Sequence, residues 1–102
     1  MTKNKWPFDV PPNASVVTTS YVTQRHMPVL YVSHELDEEG DLTWQFHCGN
    51  GDFSAAVLQL VRLDEILRLD ASLTELAELQ IGYCARRSAV GARWITQKER
   101  AE

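Results

Sequence analysis

Along residues 42–48 hydrophobic and polar side chains alternate. Leu42, Trp44, Phe46 and Cys48 share one side, and Thr43, Gln45 and His47 share the other. A period of two is that of a strand with one buried face. Val16–Val22 is rich in β-branched residues with one Tyr, and Val29–His34 begins apolar on both faces, as a central strand does. Between the second and third runs, Leu36–Asp41 is an acidic turn with Gly40 available for positive φ. Three consecutive strands with short connections predict an antiparallel meander.

The period lengthens after residue 60. Leu63, Ile66 and Leu67 fall at helical spacing, with Asp64, Glu65 and Arg68 on the polar side. Asp70-Ala71-Ser72 interrupts that stripe. Ser72 followed by Glu75 has the form of a capping box, and Leu73, Leu76 and Ala77 supply the apolar side of a second helix. Both helices are too short to be stable alone and need a surface to pack on. Ala56–Val61 fits either a fourth short strand or the first turns of the helix, and the strand is preferred.

Beyond Leu79 the period returns to two, with Ile81, Tyr83 and Ala85 on one side and Gly82, Cys84 and Arg86 on the other. Ser88–Gly91 reads as a hairpin connection and Ala92–Thr96 as a last strand holding Trp94. The turn Gly49–Asp52 precedes Phe53, which is expected to tuck onto the core. Residues 1–14, with three of the four prolines, read as an extended arm pinned by Trp6 and Phe8. A single domain follows over 15–97, and residues 98–102 form a tail expected to fray. The expected fold is α+β, an antiparallel sheet of about five strands with two short helices packed on one face.

Composition adds little to that frame but narrows function. The 102 residues are 44% hydrophobic and 24% charged, ordinary for one globular domain. A net charge of −4 disfavours nucleic acid and anionic membranes as partners. No run of apolar residues is long enough for a membrane span, and no signal-peptide pattern is present. Cys48 and Cys84 are expected as free thiols in a reducing compartment, so the expected location is cytoplasmic.

Candidate chemistry is sparse. His26, His34, His47, Cys48 and Cys84 are the soft metal-ligand types, but none has zinc-site spacing. His47 and Cys48, adjacent on a strand, point to opposite faces, which places Cys48 in the core and His47 outside. A nucleophilic Cys84 would need a histidine beside it in an electropositive pocket, for which Arg86 and Arg87 are the nearest cations in sequence. Gly49-Asn50-Gly51 lacks the remainder of a phosphate loop. No catalytic residue, cofactor or metal is therefore expected. Glu35, Asp37, Glu38, Glu39 and Asp41 put five carboxylates into seven residues, without calcium-loop spacing. They are either a solvated hairpin tip or an acidic patch for a basic partner.

Groups of residues in both halves of the chain carry a resemblance. Thr18–Val22, Pro28–His34 and Trp44-Gln45-Phe46 stand in the first half. Val57-Leu58, Glu65-Ile66-Leu67, Leu69-Asp70 with Ser72-Leu73, Gly82, Ala85 with Arg87, and Trp94 stand in the second. Together, over residues 15–96, they resemble small bacterial immunity-like domains of the Imm33/DUF2185 type. Asp70-Ala71-Ser72-Leu73 has Ala where that pattern has Pro. The resemblance implies a non-enzymatic protein-binding domain, with an immunity protein that occludes a cognate toxin as its specific form. It carries over no catalytic residue. The alternatives are a homodimeric structural or regulatory domain and, last, a small hydrolase using Cys84.

Overall fold

Trp44 and Phe46 are buried in one core with Leu63, Ile66, Leu73 and Leu76, and this packing sets a helical layer against one face of a sheet. The computed structural model describes residues 6–36 and 38–98. Its strands are β1 (Ser15–Thr19), β2 (Tyr31–Leu36), β3 (Leu42–His47), β4 (Leu58–Arg62), β5 (Tyr83–Arg86) and β6 (Ile95–Lys98). They form one sheet in the order β4-β1-β3-β2-β5-β6. The helices are a single turn α1 (Ser20–Thr23), α2 (Leu63–Leu69) and a 3-10 helix, Ala71–Leu76. The α+β architecture is the one expected, with six strands and one parallel pair in an otherwise antiparallel sheet.

That parallel pair replaces the expected meander. The first strand ends at Thr19, and Ser20–Thr23 coils into α1 instead of extending to Val22. The chain then passes across the sheet, so β2 enters beyond the place of β3. β1 pairs with β3 in parallel and with β4 antiparallel, and β2 forms its hairpin with β3. The preferred strand reading of Ala56–Val61 holds, with β4 starting two residues later and ending one later. Gly40 in the β2–β3 turn has φ +86°. Tyr83 and Ala85 share the core face, but Ile81 precedes β5 and is exposed. Trp94 likewise precedes β6, which begins at Ile95.

The helical layer is capped differently from the sequence expectation. The Asp70 carboxylate, not Ser72, caps the 3-10 helix: it accepts from the Ser72 N–H at 3.0 Å and the Ser72 hydroxyl at 2.6 Å. Glu75 is exposed and belongs to no capping box. Asp70 wins because its side chain stands one position outside the first turn, where the N–H groups are still unpaired. Fully burying each of Leu63, Ile66 and Leu73 contributes about 1.5–3 kcal/mol.

The described part of the arm is built into this core. Phe8 packs edge-on against Trp44 with ring centres 5.1 Å apart. Trp6 lies against Phe8 at 5.8 Å. Carbonyls of Pro12 and Ala14 accept from the Asp64 and Leu63 N–H groups at 2.9 Å, which pairs two donors at the start of α2. Residues 1–5 and the expected frayed residues 99–102 lie outside the described residues, while Lys98 closes β6. No described helix is long and apolar enough to cross a membrane.

Candidate functional site

With the helices on one side, the other face of the sheet carries its own alternating set of side chains. Strand register arranges them in three rows. Tyr31, opposite His47 and Arg86, forms the first row. Ser33, opposite Gln45 and Cys84, forms the middle row, which Val17 and Leu60 continue across β1 and β4. Glu35, opposite Thr43, begins the third. Among the described residues no helix covers these rows, and Leu58, Leu60 and Ile95 are exposed on this face.

The first row is raised. Phe53 does not tuck onto the core but lies outside it, its ring 4.6 Å from that of His47 and 6.4 Å from Tyr31. The reason is the alternation itself: Trp44 and Phe46 already fill the helical side, leaving His47 as the apolar platform next to the Gly49–Asp52 turn. His47 therefore faces outward, as expected, yet is buried. Burial pushes its imidazole below the ordinary histidine range. Its Nε2 lies 2.9 Å from Gln45 Oε1. The Arg86 guanidinium lies over the Tyr31 ring at 4.9 Å, a cation–π contact.

The third row is a hollow. Glu35, Leu36, Glu38, Glu39, Thr43 and Gln45 line about 480 Å³ of open concavity. Of the five expected carboxylates, Glu35, Glu38 and Glu39 therefore meet at one place. Asp41 is exposed on the same hairpin but not in that lining, and Asp37 lies outside the described residues. Glu35 Oε2 accepts from the Ser33 hydroxyl at 3.1 Å and from Gln45 Nε2 at 3.3 Å. These contacts fix one carboxylate on rigid strand, while Glu38 stands exposed at the rim.

Two polar clusters were not legible in the sequence. On the helical side His34 stacks on Trp44, with ring centres 3.9 Å apart. Its Nδ1 is 2.7 Å from the Leu79 carbonyl, which only accepts, so Nδ1 carries a proton. Its Nε2 lies 3.2 Å from Asp9 Oδ2, and Trp44 Nε1 donates to the other Asp9 oxygen at 3.2 Å. The second cluster is Arg87. Named in sequence beside Arg86 as a cation near Cys84, it is instead buried, with its guanidinium over the Trp94 ring at 4.4 Å. The one signal that bore on them was position: His34 is on the core side of β2, and Arg87 immediately follows the strand.

The two cysteines are separated, Cys48 in the core cluster and Cys84 on the outer face of β5. Cys48 and Cys84 are both buried and neither is in a disulfide. Cys84 is on the outer face opposite Ser33, whereas His34 faces the core. His47 shares the outer face but is on β3, with β2 between, which puts the strand axes about 9–10 Å apart. Among the described residues no three His, Cys, Asp or Glu side chains form a metal-binding group. No family model, curated protein or solved structure matches the chain.

Proposed function

We propose that this chain is a protein-binding domain that acts by covering a partner's surface rather than by catalysis. One observation carries the reading: the uncovered sheet face ends in an acidic hollow whose Glu35 is held by Ser33 and Gln45. A carboxylate fixed on the same face as Tyr31, Phe53 and Leu60, at the opposite end from the aromatic pair, suits a partner that offers an Arg or Lys at some distance from a hydrophobic patch. Hydrogen bonds from such a cation to Glu35 and Glu38 would be charge-assisted and directional. Occlusion of a cognate toxin, implied by the family resemblance, is the specific form proposed. Acidic surfaces of this kind steer encounter with basic partners and make it salt-dependent.

The test uses the tagged protein to capture its partner from its own host, followed by kinetics with the purified pair. Glu38→Gln with Glu39→Gln is expected to slow association several-fold at low salt and to flatten its salt dependence, with dissociation little changed. Rates identical to wild type at both salts would remove the hollow from the interface. A partner identified as a toxin whose activity the domain does not reduce would overturn occlusion.

A further inference from the structure

The two ends of the outer face are complementary to each other. One end is a raised ridge of Phe53 and Tyr31 with the exposed guanidinium of Arg86 lying over it. The other is the acidic hollow. The middle row between them is low, because Ser33 and Cys84 are small and buried. Tyr31 and Glu35 are four residues apart on β2, so ridge and hollow lie about 13 Å apart along the strands. Within one copy the ridge is too far away to fill the hollow.

We infer that the first occupant of this face is a second copy of the chain, packed sheet to sheet about a two-fold axis. The inference rests on reading the outer face as a binding surface, and it names the partner. Consider an axis between the facing sheets, along the hydrogen-bonding direction and passing over Ser33. It keeps each strand over its own copy with direction reversed, and exchanges the first row for the third. Arg86 of each copy then stands over the Glu35 hollow of the other, an isologous contact formed twice. The same axis brings Val17 and the exposed Leu60 of one copy to those of its partner, an apolar seam across β1 and β4. Facing sheets with nearly aligned strands are a standard packing about 10 Å thick.

Size sets how tightly the copies hold. Six strands about 4.8 Å apart and about five residues long span roughly 400–500 Å² in projection. A standard stable interface buries about 800 Å² on each partner. The dimer is consequently weak and concentration-dependent, and a partner with a better-fitting cation displaces the second copy from the same hollow.

Sedimentation equilibrium on the full chain tests this. The average mass is expected to rise with concentration from 11.6 kDa toward twice that value. Arg86→Glu and Glu35→Lys each place like charges in both contacts and are expected to weaken the dimer about tenfold or more. An equimolar mixture of the two variants restores opposite charges at both contacts, and the heterodimer re-forms. Because Glu35 is half-buried, Glu38→Lys at the exposed rim serves as the second hollow variant, and melting temperatures verify that each variant folds. A wild type that stays monomeric, an Arg86→Glu variant that dimerises normally, or a mixture that stays monomeric would each overturn the second copy. If the wild type is monomeric while Glu38→Gln with Glu39→Gln still slows capture of a host partner, only the dimer fails. If the wild type dimerises while that pair of substitutions leaves capture unchanged, the dimer stands and the heterologous reading fails.

Discussion

Arg87 reaches from the end of β5 to the Asp70 carboxylate at 2.7 Å, and only 1% of its side chain is exposed. The same guanidinium donates twice to the Val29 carbonyl, at 3.0 and 3.2 Å, and to the Ser72 hydroxyl at 3.2 Å. It thereby fastens the segment leading into β2 to the cap of the 3-10 helix. A guanidinium suits this place because its planar set of donors serves three acceptors at once while its face lies on Trp94.

Arg87→Ala is expected to cost about 3–5 kcal/mol, because it takes the cation from Asp70 and its two donors from the Val29 carbonyl. Arg87→Lys keeps the charge but not the fork, and is expected to fall between wild type and Ala. Asp70→Ala combined with Arg87→Met should cost less than the sum of the single changes. Denaturant unfolding of wild type, the three Arg87 variants, Asp70→Ala and the double variant checks this, and additive losses would show that the two side chains do not act together.

Desolvation pushes the Asp70 carboxyl up, but hydrogen bonds from Ser72 and Arg87 outweigh it and hold the group below the ordinary aspartate range. A carboxylate depressed on folding contributes stability that is complete above its unfolded value of about 3.9 and is lost as pH falls through the folded value. The stability difference between wild type and Asp70→Asn should therefore be constant at neutral pH and shrink below about pH 4. Acid titrations of both proteins followed by circular dichroism check this.

His47 has the opposite consequence for its charged form. Burial favours the neutral ring, so between the folded value and the unfolded one of about 6.5 the unfolded chain binds more protons. Stability from this group rises with pH across that interval and is level above it. Replacing His47 with Asn is expected to lessen the fall in melting temperature between pH 7.5 and 5. An unchanged pH slope would show that the ring under Phe53 is hydrated.

Trp44 is 1% exposed and touches the rings of Phe8, His34 and Phe46. Trp44→Ala is expected to cost about 3–5 kcal/mol, a large share of the roughly 5–10 kcal/mol expected for a domain of this length. A melting temperature within a few degrees of wild type would contradict the packing described.

The sequence made most of this core legible. Trp44 and Phe46 were recognisable from a period of two, and Leu63, Ile66, Leu73 and Leu76 from helical spacing, because burial of one face imposes those periods locally. Which strands pair is not a local property. Thr18 and Thr19 fit a strand in either neighbourhood, so nothing there distinguished parallel pairing with β3 from antiparallel pairing with β2. The site was legible in part. The carboxylates of the acidic turn stood out as a charge run, but their hollow depends on Thr43 and Gln45 from the next strand. The Arg86 ridge needs Tyr31 and Phe53, which are 22 residues apart in the chain.

The placement of β1 between β3 and β4 also governs the order in which the molecule can assemble. Both partners of β1 come later in the chain, at Leu42–His47 and Leu58–Arg62. The β2–β3 hairpin can close early, but β1 has no neighbour until those distant segments are in hand. Loop closure over that span precedes any reward from pairing, which slows folding relative to a simple meander. Until β1 is seated, the hairpin presents the free edge of β3, and until the helices that follow β4 pack down Trp44 and Phe46 are uncovered as well. Nascent or refolding chains are consequently most vulnerable to intermolecular strand pairing during that interval, and low concentration matters more while β1 is unpaired than after the sheet is complete.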